Sequence, residues 1–250
     1  GPAPDSWVTL KHVAGASWVI RGAVGDYEGD GLEELALLVH SGNFADLYII
    51  KLDGSGKPFR VPDQNLLSFG EDKAKDWTFS LTSGDYDGDG DDDLAWVRCK
   101  DYDCYAGAYR LRIESGIWKG TATSELKETP DYSQFKVATT SGNFFQETQG
   151  ADIDEIVYTG VHWNNPFPFV NIYYKLRTFV LRLEGNTLVR KGYHDFDHIW
   201  LHSATDRRPE FSAAVAAADL KRSRKDRIAI YVEYTARDLA TDLPGRRALY

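Results

Sequence analysis

Gly84-Asp85-Tyr86-Asp87-Gly88-Asp89-Gly90-Asp91-Asp92-Asp93-Leu94-Ala95-Trp96-Val97 decides how the rest of the chain is read. Its first ten residues hold six aspartates and three glycines, and an apolar run follows at once. Carboxylates at this density repel one another strongly without a counter-ion. Oxygen ligands at alternate positions suit a hard cation, Ca²⁺ above all. Asp85, Asp87, Asp89 and Asp93 are the expected side-chain ligands, with the Asp91 carbonyl between them. Gly88 and Gly90 let the backbone fold tightly around an ion. A solvated acidic turn is the alternative, and the alternation together with the glycines favours the metal loop.

The pattern recurs. Gly25-Asp26-Tyr27-Glu28-Gly29-Asp30-Gly31-Leu32-Glu33-Glu34-Leu35-Ala36-Leu37-Leu38 matches it position for position, 59 residues earlier. Asp26, Glu28, Asp30 and Glu34 are its expected carboxylate ligands, and Leu32 offers its carbonyl. Fewer carboxylates predict a weaker site. A third copy runs from Ser141-Gly142-Asn143-Phe144 to Asp154-Glu155-Ile156-Val157-Tyr158, with extra residues and Phe145 where a ligand should be. A fourth runs from Ala218-Asp219 to Arg227-Ile228-Ala229-Ile230. Lys221 and Arg227 stand at its ligand positions, so no metal is expected there.

Each copy has an apolar strand before it and a buried-looking strand after it. The strands before are expected at Ser17–Ala23, Trp77–Thr82, Phe135–Thr140 and Phe211–Ala217. Those after are expected at Leu35–Val39, Leu94–Arg98, Ile156–Thr159 and Ile228–Glu233. An outer hairpin strand comes next (Leu47–Leu52, Tyr105–Ile113, Tyr173–Leu183, Arg247–Tyr250), then a more variable segment. Four strands per repeat describe a propeller blade. The expectation is one all-β domain over 1–250, a four-bladed β-propeller with repeats at 26–84, 85–142, 143–218 and 219–250 plus 5–25. Strand Ser6–His12 would help close the ring by joining both termini in one blade, which removes free sheet edges. A β-sandwich of repeats, or a fragment of a larger ring, is the alternative.

The Asp-x-Asp-Gly-Asp-Gly-x-x-Asp-Leu pattern before a strand, repeated at this period, resembles the FG-GAP/VCBS repeats of integrin-α-like propellers. The resemblance is specific for Asp26–Leu38 and Asp85–Val97 and weak for the other two copies. It implies that Asp26, Glu28, Asp30, Glu34, Asp85, Asp87, Asp89 and Asp93 are calcium ligands, with carbonyls from Leu32 and Asp91. It also implies that the ion is structural and that binding lies on loops at one face of the ring. Trp96-Val97-Arg98 stands where the family signature continues Gly-Ala-Pro, and family rings usually have seven blades.

Composition excludes several classes. The 250 residues are 42% hydrophobic and 27% charged, a globular balance. A net charge of −9 argues against nucleic acid or anionic lipid as the main partner. No apolar stretch reaches the roughly 18 residues of a membrane span. Cys99 and Cys104 flank a turn-like Lys-Asp-Tyr-Asp between two strand-like runs. A disulfide is expected there, and with it a secreted, periplasmic or cell-surface location; two free thiols are the alternative.

Insertions carry function more often than the repeats do. His162, Trp163, Asn164, Asn165, Phe167, Phe169 and Tyr173 crowd one insertion of the third repeat. Aromatic faces with amides suit a sugar platform or a protein contact; a long hairpin packing on its own blade is the bland reading. On a helix, His194, His198 and His202 would share a face and suit zinc or acid–base work; polar residues at a blade edge are the alternative. Nucleophile-elbow, Walker and zincin motifs are absent from the sequence. The expected function is calcium-stabilised binding of carbohydrate or glycoconjugate. A protein-interaction, adhesion or inhibitory module bound to a cell-surface protein, and a polysaccharide hydrolase or lyase, are the alternatives.

Overall fold

A computed structural model describes residues 18–61, 66–100, 103–114, 117–128, 133–145, 153–164, 172–201, 210–218, 226–235 and 246–249. Its strands form four antiparallel sheets that follow one another along the chain. The first holds β1 (Val19–Gly25), β2 (Glu34–Ser41), β3 (Phe44–Leu52) and β4 (Pro58–Arg60), with β5 (Ser68–Phe69) also on β3. After a single helical turn, α1 (Glu71–Ala74), the second holds β6 (Thr78–Gly84), β7 (Asp93–Lys100) and β8 (Asp103–Glu114). β9 (Ile117–Ala122) and β10 (Leu126–Glu128) both pair with β8. The third holds β11 (Ser133–Gly142), β12 (Glu155–Asn164), β13 (Ile172–Glu184) and β14 (Thr187–Leu201). The fourth holds β15 (Glu210–Ala218), β16 (Arg227–Thr235) and β17 (Arg246–Leu249). The expected strand Ser6–His12 lies outside the described residues.

The sheets stack face to face, and the alternation along β7 shows how. Leu94 and Trp96 point into a core shared with the first sheet, beside Leu38, Ile49, Phe69 and Phe79. Ala95, Val97 and Cys99 point the other way, into a core shared with the third sheet, beside Ile156, Tyr158, Phe179 and Leu181. A strand buried on both faces has no polar face, which is why residues 94–97 are an unbroken apolar run. Side-chain burial at this scale, about 25 cal/mol per Å² of apolar surface, dominates the folding free energy.

The first strands of successive sheets lie side by side in equivalent register. Ser83 Oγ donates to the Val24 carbonyl at 2.6 Å, and Arg21 Nε donates to the Phe79 carbonyl at 2.9 Å. One junction further on, Ser80 and Thr139 hydroxyls meet at 2.8 Å and Thr82 Oγ1 donates to Ser141 Oγ at 3.3 Å. Most of these pairs are separated by the 59 residues of the repeat offset. Repetition in sequence is therefore repetition in space, with equivalent positions of neighbouring sheets meeting at these junctions.

The disulfide expected at Cys99–Cys104 forms across the directly opposed pair that closes the β7–β8 hairpin. Nearby, the buried guanidinium of Arg98 holds Glu125 through two 2.8 Å hydrogen bonds. It also lies 4.2 Å from the Trp77 ring and 4.4 Å from the Tyr105 ring. A desolvated cation is tolerable only with such pairing. Among the described residues, no helix is long and apolar enough to cross a membrane.

Candidate metal centre

Each acidic loop joins the first and second strands of its sheet, so all of them leave the same end of the stack. Loop two spans 85–93. Gly88 and Gly90 have φ of 79° and 97°, a region that favours glycine, and loop one repeats this at Gly29 and Gly31. The Asp85 carboxylate accepts the N–H groups of Gly88 at 2.7 Å and Gly90 at 3.0 Å. Asp89 Oδ1 accepts the Asp91 N–H at 3.1 Å. These bonds brace the turn and leave Asp85, Asp87 and Asp89 each offering an oxygen within 4.8 Å of the others. Asp93 lies behind them at the start of β7, 4% exposed.

Two carboxylate oxygens of this loop, Asp87 Oδ1 and Asp93 Oδ2, are buried with no hydrogen-bond partner, as is the Tyr86 hydroxyl. Burial pushes the Asp93 carboxyl up to about 8, and the charges of Asp87 and Asp89 push the same way. The Leu111 N–H and the charge of Arg110 oppose them. The Asp85 carboxyl is also raised, first by burial, against the Gly88 and Gly90 N–H groups. An unpartnered buried carboxylate oxygen is costly. A divalent cation among these oxygens removes that cost, so the donor set fits a hard metal ion.

In loop one, Glu28, Asp30 and Glu34 converge within 4.8 Å. Asp26, expected as a ligand, lies outside that cluster and braces the turn as Asp85 does in loop two, accepting the N–H groups of Asp30 at 3.0 Å and Gly31 at 2.8 Å. Lys51 Nζ contacts Glu28 and lies 3.6 Å from Glu34. Leu32 is exposed. Loop three holds no comparable cluster among its described residues. Glu155, fully buried, accepts Arg182 Nε at 2.8 Å and the N–H groups of Phe144 at 2.8 Å and Phe145 at 3.2 Å. Lys221 and the rest of 219–225 lie outside the described residues.

Two sets of residues in these loops were not singled out from the sequence. The first is the acid just before the second strand. Asp92 reaches back to Asp26 in the preceding loop, Asp154 to Asp85, and Asp226 to Asn143. Their alignment with Glu33 is visible in the repeats and could have exposed them. The second is a cation on the third strand, directly opposite the last loop carboxylate. Pairing of Leu35 with Ile50, Leu94 with Tyr109 and Ile156 with Leu181 puts Lys51, Arg110 and Arg182 across from Glu34, Asp93 and Glu155. Lys51 and Arg110 are themselves 59 residues apart.

The aromatic insertion sits elsewhere. It joins the second and third strands of its sheet, so it leaves the end opposite the acidic loops. In the first two sheets that connection is two residues long, but here β12 runs on to Asn164, which pairs with Tyr173. His162 and Trp163 pair there with Lys175 and Tyr174. Asn165, Phe167 and Phe169 lie outside the described residues. The helix considered for His194, His198 and His202 is not formed, because β14 runs as a strand through Leu201. A strand rises about 3.3 Å per residue, so residues four apart stand about 13 Å apart and cannot share an ion. His202 lies outside the described residues. No protein-family model matches the chain, and no curated protein matches its sequence.

Proposed function

We propose that this chain is a calcium-stabilised four-bladed β-propeller that acts as a binding module outside the cytoplasm. The observation that carries the metal is the pair of buried, unpartnered oxygens on Asp87 and Asp93 beside Asp85 and Asp89. Calcium is the ion of choice because every donor is oxygen and the loop is flexible enough for an irregular shell. The ring reading rests on the three equivalent junctions and on β1. The first strand exposes Ile20 and Val24 on its outer side, where a fourth junction would cover them. The Cys99–Cys104 disulfide favours an oxidising compartment: secreted, periplasmic or cell-surface.

The leading ligand class is carbohydrate, taken by His162, Trp163, Asn164, Asn165, Phe167, Phe169 and Tyr173. Indole and phenol faces stack on sugar rings while amides satisfy hydroxyls. The calcium loops leave the opposite end of the sheets, so the ion stabilises the scaffold and takes no part in recognition. A glycan array, run with wild type and Trp163→Ala, tests this. Binding that Trp163→Ala abolishes supports the lectin. No glycan signal, with a tight protein partner recovered from a cell surface, replaces it with an adhesion or inhibitory module. Turnover of a polysaccharide makes it an enzyme.

A further inference from the structure

We propose that the third-strand cation of each sheet decides whether that sheet's acidic loop takes a divalent ion, and that in loop one the Lys51 ammonium occupies the ion's place. The three sheets show one position in three conditions. In loop three, Arg182 lies against Glu155 with Nη2 at 2.6 Å, and two backbone N–H groups fill the other carboxylate oxygen. That carboxylate already takes three hydrogen bonds and an ion pair from the chain, so a metal would have to displace Arg182. In loop one, Lys51 bridges Glu28 and Glu34, two of the three converging carboxylates. The Lys51 side chain is 17% exposed, and its ammonium also lies 5.8 Å from the Trp118 ring, a further favourable contact.

Loop two differs because its cation is drawn away. Arg110 Nη2 donates to the Gly185 carbonyl and to Asn186 Oδ1, in the turn between β13 and β14. Only its Nη1 stays with the loop, 3.3 Å from Asp87 Oδ2, where the largely exposed Arg112 also comes within 3.8 Å; neither reaches Asp87 Oδ1 or Asp93 Oδ2. Asp87 Oδ1 and Asp93 Oδ2 are left without partners, and these are the oxygens a metal would need. A planar guanidinium can serve two sheets at once, whereas the single ammonium of Lys51 cannot. A Ca²⁺ ion entering loop one meets a like charge already seated between its ligands. It must displace that charge or bind more weakly by about tenfold or more, about 1.4 kcal/mol for each factor of ten. The loop with fewer carboxylates is thus balanced by the chain itself and needs no ion.

The proposal rests on the metal reading of loop two only for the wild-type count. The test is equilibrium dialysis of chelator-stripped protein against calcium, with bound ion measured by atomic emission. Wild type is expected to bind one calcium, lost in Asp93→Asn. Lys51→Met and Lys51→Gln are each expected to bind two, and Lys51→Met/Glu34→Gln to return to one. The two Lys51 variants differ in shape and polarity, so a gain shared by both reports the lost charge and not a packing change. Melting of each stripped variant confirms that it is folded. Two calciums in wild type, with affinities that Lys51→Gln shifts by less than about twofold, overturn the proposal, because the ammonium then swings aside at no cost. A count that neither Lys51 variant raises also overturns it. If wild type binds none while both Lys51 variants bind one, loop two fails as a metal site and the assignment of Lys51 stands.

Discussion

Asp92 and Asp26 exchange two hydrogen bonds across the first sheet junction: the Asp92 carboxylate accepts the Asp26 N–H at 2.9 Å, and the Asp92 N–H returns to the Asp26 carbonyl at 2.9 Å. Asp226 and Asn143 do the same at 3.0 and 2.8 Å, and the Asp154 N–H reaches the Asp85 carbonyl at 2.8 Å. Each of the first three acidic loops is therefore held by the sheet that follows it. Asp92→Ala leaves the Asp26 N–H without its charged partner, at a cost of about 2 kcal/mol. For a chain of this size that lowers Tm by about 4–8 °C. Asp92→Asn retains an acceptor and should lose about half as much. Thermal unfolding followed by circular dichroism measures both, and an unchanged Tm in Asp92→Ala would show that the exchange is incidental.

Junctions of this kind explain why a glycine precedes the first three loops, at Gly25, Gly84 and Gly142. A Cβ on Gly84 would lie 2.6 Å from Asp154 Oδ2 and 3.1 Å from Ser141 Cβ, and one on Gly142 would lie 2.4 Å from Asp226 Oδ2. Gly84→Ala should cost about 1–3 kcal/mol by overpacking. An Asp154→Ala background removes the 2.6 Å contact and leaves the Asp154 and Ser141 Cβ contacts at 3.1 Å, so the cost of Gly84→Ala should shrink but not vanish, a coupling read from a double-mutant cycle in denaturant. Additive losses would place the strain elsewhere.

Much of this was legible in the sequence because it repeats. The loops, the strands around them and the hairpin disulfide all follow from local signals: alternating aspartates, glycines at left-handed positions, and apolar runs of strand length. What escaped is set by pairing between strands and sheets. Lys51 is an ordinary lysine until β3 lies against β2 and puts it across from Glu34. Asp92 looks like one more ligand until the neighbouring sheet presents the Asp26 backbone to it. The bracing role of Asp26, whose oxygens accept the N–H groups of Asp30 and Gly31, also depends on how the loop folds back on itself and not on its spacing. The histidine spacing fits one helical turn, but the apolar residues between them favour an outer strand. The long register between β13 and β14 makes it a strand.

Stripped of metal, the protein should lose stability as pH rises from about 6.5 to 8.5. Burial lifts the Asp93 carboxyl to about 8, while an unfolded aspartate titrates near 3.9. The folded state therefore holds a proton that the unfolded state lacks, and stability falls as pH climbs through the folded value. Asp154, raised to about 6 by burial, acts in the same sense at lower pH. His40, lowered by burial, acts in the opposite sense below its ordinary value. Reading only above about 6.5 keeps His40 out of the window. Asp93→Asn should flatten the curve there. A Tm that climbs between these two pH values, and is indifferent to Asp93→Asn, would mean that Asp93 is not held protonated.

Reducing the Cys99–Cys104 bond opens a very short loop, worth about 2 kcal/mol by the chain-entropy argument. Dithiothreitol should lower Tm by about 4–8 °C. It should leave the calcium count unchanged, because the disulfide closes the end of the β7–β8 hairpin away from Asp93. A calcium count that falls on reduction would tie the hairpin end to the metal loop and refute that separation.

Calcium itself should stabilise through loop two. An ion that binds only the folded chain adds about 2.7 kcal/mol at roughly 100 times its Kd, so excess EGTA should lower Tm by about 5–11 °C. Two variants give the effect its address. Asp93→Asn replaces the buried oxygen that has no partner with a neutral amide, removing both the ligand charge and the cost of burying it. Its Tm in EGTA should match or exceed that of stripped wild type, and calcium should no longer raise it. Asp30→Asn alters only loop one, whose carboxylates already have Lys51, and should leave the calcium response intact. A response lost in Asp30→Asn but kept in Asp93→Asn would assign the ion to the first loop. It would mean that the unpartnered oxygens of Asp87 and Asp93 are satisfied in some other way.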